Sequence, residues 1–162
     1  MPRPGRYITP EGFRRIVREH ERIWSVERPR IVAEVEAAAA LGDRSENAEY
    51  IYGKKKLREL DRRLRELSQK LDALTVIDPS PHPGGRAYFG AWVTVELEDG
   101  EERTYRLVGP DEFDAAKGLI SVEAPLGRAL LGKREGDTAV VVRPVGAATL
   151  TVVAVSWQEP PA

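Results

Sequence analysis

Residues 50–74 read YIYGKKKLRELDRRLRELSQKLDAL, and this stretch decides the fold. Leu57, Leu60, Leu64, Leu67, Leu71 and Leu74 alternate spacings of three and four, and Tyr50 and Gly53 carry the same register backwards. Lys, Arg and Glu fill the flanks. A 3-4 apolar repeat between charged flanks is the seam of a helix that packs against another helix. The partner is upstream. Thr9-Pro10-Glu11 reads as a helix start, with Thr9 as cap, Pro10 at the first helical position and Glu11 at the positive end of the dipole. Ile8 and Phe13 stand where a hydrophobic staple would join. From there Phe13, Val17, His20, Trp24, Glu27, Ile31, Val35 and Ala38 follow a 4-3 pattern with one slip near Val35. Pro29 lies inside it. Because the pattern resumes at Ile31, the proline is expected to kink the helix rather than end it.

Two such helices joined by a short connection pair antiparallel. At about 1.5 Å per residue each is roughly 40 Å long. A lone two-helix hairpin has a thin core, so its length must serve reach, or a partner must cover it.

The connection, Leu41-Gly42-Asp43-Arg44-Ser45-Glu46-Asn47-Ala48-Glu49-Tyr50, crowns the hairpin. Asp43 and Glu46 are three apart, a spacing that lets two carboxylates converge in a turn. Mg²⁺ is usually held by one or two carboxylates plus waters and substrate phosphates, so the pair makes half a metal site. The plainer reading is a capping-box-like arrangement at the start of the second helix, with Ser45 another candidate cap. Leu41 and Tyr50 are expected to pack beneath the loop.

The bulk numbers agree with a folded, highly solvated chain of 162 residues, 41% hydrophobic and 31% charged. There is no cysteine, which excludes disulfides, thiolate metal sites and a Cys nucleophile. No apolar run approaches a membrane span and no signal-like core follows the N-terminus, so a cytoplasmic protein is expected. Residues 1–78 carry seventeen Lys and Arg against fourteen Asp and Glu, leaving eight against twelve beyond them. Any polyanion is therefore met by the first half. The basic run Lys54, Lys55, Lys56, Arg58, Arg62, Arg63 and Arg65 has two readings. It is the solvated flank of a coiled coil, with Glu59 and Glu66 as partners, or it is a phosphate-binding face. No aromatic residue interleaves it, so base stacking is not expected.

Residues 78–85, DPSPHPGG, end the helix and form a linker. The period then becomes two. Ala91 to Leu97, Thr104 to Val108, Leu119 to Val122, Thr138 to Val142 and Leu150 to Val155 read as strands, with a hairpin turn at Glu98–Glu101 and a short helix at Pro125–Leu131. The division is 1–78 for the hairpin, 79–85 for the linker and 86–162 for a small antiparallel β domain. His20, on the seam, and His82, in the linker, receive no role, since neither has partners at metal spacing.

The two halves together resemble the Gre transcript-cleavage factors of bacterial RNA polymerase. The tip stretch 41–50 looks like the family's tip motif. Its Asp43-Arg44-Ser45 form, followed by Lys54 to Arg63, is similar to the GreB branch. Phe89-Gly90-Ala91-Trp92-Val93, Arg106 to Glu112 and Arg128 to Lys133 resemble the C-terminal domain of that branch.

The resemblance implies an α+β chain with an antiparallel coiled-coil hairpin and an FKBP-like β domain. It implies a monomer that enters the polymerase secondary channel, with no membrane involved. Asp43 and Glu46 would be the catalytic pair, holding a Mg²⁺ shared with the polymerase active site and bound only weakly by the chain alone. Arg44, Ser45 and Asn47 would support the tip. Lys54, Lys55, Lys56, Arg58, Arg62 and Arg63 would meet the extruded RNA 3′ end. Glu123, Ala124 and Pro125 would contact the channel rim. The family usually has serine where Ala124 stands and alanine where Gly127 stands, and the missing hydroxyl is expected to weaken docking by one hydrogen bond. The chain would not be an enzyme but would activate the polymerase's own RNA hydrolysis. Three competitors remain. One is a Gre-like inhibitor that occupies the channel without promoting cleavage. Another is a prolyl isomerase suggested by topology, and the last is a plain coiled-coil assembly protein.

Overall fold

The computed structural model describes residues 6–42 and 46–161. Two compact units are present, one of residues 13–74 and one of residues 1–12 with 75–162.

The first unit is the helical hairpin. Helix α1 (Pro10–Arg22) runs through a π-helical turn (Ile23–Glu27) into α2 (Arg28–Ala39), and α3 (Ala48–Ala73) returns. The α3 seam falls where the leucine repeat put it: Gly53, Leu60, Leu64 and Leu67 are buried, with Leu57 and Leu71 half-buried. The opposite strip differs from expectation. Its buried residues are Ile16, Ile23, Ile31 and Ala38, and Trp24 is 59% exposed. The seam of α1 therefore runs one position ahead of Val17 and Trp24.

The reason lies in the π turn. The buried residues are seven apart before it and after it, but eight apart across it, from Ile23 to Ile31. One inserted residue absorbs the mismatch. Arg28 N–H donates to Ile23 O, five residues back. Pro29 has no N–H to offer Ser25, and its ring would press on that carbonyl in a regular helix. Widening the preceding turn relieves the clash, so the proline is accommodated by the π turn while the helix continues.

Close packing of α2 on α3 depends on Gly53, since a Cβ there would sit 2.6 Å from Val35 Cγ2. Two inter-helix ion pairs flank the seam. Arg28 Nε lies 2.8 Å from Asp61 Oδ1, and Arg63 forks onto Glu19 at 3.0 and 2.9 Å.

The second unit holds a five-stranded sheet. The strands are β3 (Trp92–Glu96), β4 (Glu102–Val108), β5 (Leu119–Ser121), β6 (Thr138–Arg143) and β7 (Gly146–Ser156), in the order β5-β4-β3-β7-β6. Every pairing is antiparallel except β4 with β5. Val93, Val95, Leu107, Val152 and Leu150 alternate onto one face and, with Leu130 of α4 (Pro125–Leu130), form the core.

The unit reaches further back than residue 86. Strand β1 (Tyr7–Ile8) pairs parallel with β2 (Thr75–Val76), neither of which the alternation had marked. Thr9 N–H and Oγ1–H both donate to the buried Glu112 carboxylate, while Thr9 Oγ1 accepts from Gly12 N–H at 3.1 Å. The capping residue of α1 is thus tied to a loop more than a hundred residues away. Arg106, largely buried, adds a second tie: it meets Glu11 at 3.5 Å, donates to Gly90 O and lies over the Trp92 ring. These bonds join Thr9 and Glu11 to the sheet unit.

Candidate nucleic-acid and polymerase interface

Asp43, Arg44 and Ser45 lie outside the described residues. The two helices that flank them are joined by Asn47. Asn47, extended in backbone, is the N-cap of α3: its Oδ1 accepts from Tyr50 N–H at 3.1 Å. Its Nδ2 donates to Ala38 O at 2.7 Å. One amide therefore caps one helix and binds the last turn of the other, which makes it the clasp of the hairpin. The cap expected at Asp43, Ser45 or Glu46 is thus supplied by Asn47. Glu46 precedes the N-cap, in the turn, exposed. Its carboxylate is not consumed by the helix end. Leu41 is 77% exposed rather than packed beneath the loop, and Tyr50 is half-buried.

Among the described residues no three His, Asp or Glu side chains gather to hold an ion. An exposed Glu46 outside the cap, with Asp43 three residues before it, fits an ion whose other ligands come from elsewhere.

The basic run separates into two sets. Lys54, Lys55, Arg58 and Arg62 are exposed, and Lys56 is half-buried. Lys55, Arg58, Arg62 and Arg65 line one groove on the outer face of α3, with Glu59 among them. Their 3-4-3 spacing puts four positive charges in a row along one side of the helix. Arg63 points elsewhere, to Glu19 and, at 3.3 Å, to Glu66. The hydrogen bonds that Arg63 donates to Glu19 raise its pKa above the usual arginine value, as the bond donated to Asp61 does for Arg28. Both guanidiniums are committed to holding the hairpin together. Sequence spacing hid this, because Glu19 is on the other helix.

Glu123, Ala124 and Pro125 sit at the mouth of the sheet unit. Ser121 turns the chain, its Oγ accepting from Glu123 N–H at 3.1 Å and its carbonyl from Ala124 N–H at 3.0 Å. Glu123 and Pro125 are exposed, Ala124 half so. Ala124 is the N-cap of α4 and provides no side-chain bond, with Pro125 at the first helical position. Ala124 and Pro125 also border a cavity of about 570 Å³ shared with Tyr105, Phe113, Arg103 and Arg143. Sequence reading had not grouped these last four, since they come from separate strands and a loop.

The N-terminal model of the transcription elongation factors matches residues 6–76, and the GreA/GreB C-terminal model matches residues 82–157. Transcription elongation factor GreB of Yersinia pestis is 51% identical over 152 residues, covering 94% of this chain and 89% of that protein. The chain belongs to the GreA/GreB transcription elongation factor family. GreB of Pseudomonas aeruginosa is 53% identical over 156 residues, covering 96% of this chain and 91% of its own. Among solved structures, a GreA/GreB factor from Nitrosomonas europaea is 30% identical over 57% of this chain and 78% of its own, with a TM-score of 0.42. Among the described residues no helix is long and apolar enough to cross a membrane.

Proposed function

We propose that this chain is a transcript-cleavage factor that carries Asp43 and Glu46 into the secondary channel of RNA polymerase. There it stimulates hydrolysis of the RNA 3′ segment in backtracked complexes. The observation that carries the reading is an exposed Glu46 just ahead of the Asn47 cap, at the turn of a long hairpin, in a chain half identical to GreB factors along most of its length. A hairpin on the order of 40 Å long delivers two carboxylates down a passage too narrow for a globular domain.

Each part of the chain has a task in this reading. Asp43 and Glu46 supply oxygens for a Mg²⁺ shared with the polymerase and orient the attacking water. Such an ion, in a two-metal site, neutralises charge on the attacking and leaving oxygens of an in-line displacement. Asn47 keeps the tip in place by clasping both helices. Lys55, Arg58 and Arg62 meet RNA phosphates, which need positive charge at the right place and no base readout. The Glu123–Pro125 turn and the cavity beside it dock on the channel rim. The chain is then a cofactor of the polymerase, working as a monomer in the cytoplasm.

The test is release of short 3′ fragments from a backtracked elongation complex of the cognate polymerase, with labelled RNA and added Mg²⁺. Fragment release that rises with the factor and stops when the divalent ion is chelated is expected. Binding that blocks nucleotide addition without releasing fragments would make the chain an inhibitor instead.

A further inference from the structure

We propose that Trp24 is a stacking platform for an unpaired base of the RNA segment lying along the hairpin, an inference that deepens the reading above and rests on it. The π turn is what exposes this side chain. Ile16, Ile23 and Ile31 take the seam, and Trp24, beside them in sequence, is left 59% in solvent. A large, rigid aromatic surface kept in water is the type of residue that dominates contact surfaces.

Its surroundings suit a single-stranded polyanion. The Arg28 guanidinium lies 5.7 Å from the ring centroid and is itself held by Asp61 at 2.8 Å. The recess that Trp24 walls with Ser68 and Gln69 includes Arg65. Arg65 also closes the groove of Lys55, Arg58 and Arg62. A row of positive charge therefore runs along α3 and ends beside an indole. Carboxylates lie along the same route: Glu59 in the groove, Glu66 one turn beyond Arg62, Asp72 at the end of the recess and Asp61 under Arg28. Against them stand Lys55, Arg58, Arg62, Arg65 and Arg28, so the track remains cationic. A cationic track with an aromatic step is how single strands are held without sequence preference.

The position implies a length rule. Arg65 is eighteen residues beyond Asn47, about 27 Å along the helix. A stacked strand advancing ~3.4 Å per nucleotide needs roughly eight nucleotides to cover that distance. Trp24 should therefore matter for deeply backtracked RNA and matter far less for a complex backtracked by two or three.

The test compares Trp24→Ala, Trp24→Phe and Trp24→Leu in the full-length chain, in complexes backtracked by about two and about ten nucleotides. Stacking predicts that Trp24→Ala slows long-fragment release about tenfold more than short-fragment release, with phenylalanine restoring most of it and leucine little. Equal losses in both complexes, or rescue by leucine as good as by phenylalanine, would overturn it and assign Trp24 to the polymerase wall or to the hairpin's own packing. A second arm measures binding of a ten-nucleotide RNA to the factor alone at low salt. Weaker binding by Trp24→Ala than by wild type and Trp24→Phe supports stacking even if no complex is cleaved, a result that would sink only the cleavage reading. Equal binding by all variants counts against stacking.

Discussion

Position 124 stands at the N-cap of the six-residue helix α4 with no side-chain oxygen for that helix's first amides. A hydroxyl at this position would serve first as a helix cap. Ala124→Ser should stabilise the chain by about 1 kcal/mol, read as a raised urea midpoint with unchanged slope. Three residues on, an added methyl at Gly127 would run into the Ser121 carbonyl oxygen, which is backbone and cannot swing aside. Gly127→Ala should therefore cost about 1–3 kcal/mol in the same measurement. With glycine at 127, α4 lies closer to the end of β5 than a side chain there would permit.

At the scale of elements, the hairpin's stability is concentrated where α2 and α3 approach. Gly53→Val should cost about 1–3 kcal/mol by forcing Val35 away, and should lower the thermal midpoint of the helical signal. The α3 seam was legible in sequence because its leucines have polar neighbours that leave one choice of face. The α1 seam was not, because Ile16 with Val17 and Ile23 with Trp24 offer apolar residues at adjacent positions. Choosing between them requires knowing where the extra residue of the π turn falls, and nothing in the spacing places it ahead of Pro29. The same blindness affected the basic run. The run was read from the sequence as one undivided patch, and the row of Lys55, Arg58, Arg62 and Arg65 emerged only in the structure. The diversion of Arg63 to Glu19 was not readable either, because it depends on inter-helix register. At the tip, Asn47 was recognised as a support, but its place as the cap was not, since Asp43, Ser45 and Asn47 all have capping side chains.

At the scale of the whole molecule, the unit boundaries are set by hydrogen bonds that no linear pattern announces. Strands of two residues carry no alternation, and the pairing of Thr9 with Glu112 spans most of the chain. A fragment of residues 84–162 lacks β1, β2 and both Thr9 donors to Glu112. It should unfold at a lower denaturant concentration than the sheet unit of the full chain, as followed by tryptophan fluorescence. Equal midpoints would mean that the N-terminal segment adds nothing to the sheet unit. The strand alternation itself was readable, and with it the antiparallel character of the sheet. Within the five-stranded sheet the parallel β4–β5 pairing needed the structure, because a strand of three residues carries no signal of its direction.

The tip is where this architecture meets its chemistry. Asn47, not a carboxylate, caps α3, which leaves Glu46 exposed, and the proposed function pairs it with Asp43 on a shared ion. The most direct measurement is therefore fragment release from a backtracked complex by wild type and by Asp43→Ala/Glu46→Ala, with polymerase binding measured in parallel. The account predicts that the double variant binds as wild type does, folds with the same stability and loses at least a hundredfold in cleavage rate, on the order of 3 kcal/mol of transition-state stabilisation. Cleavage by the double variant within a few-fold of wild type would contradict it and remove the tip carboxylates from the reaction.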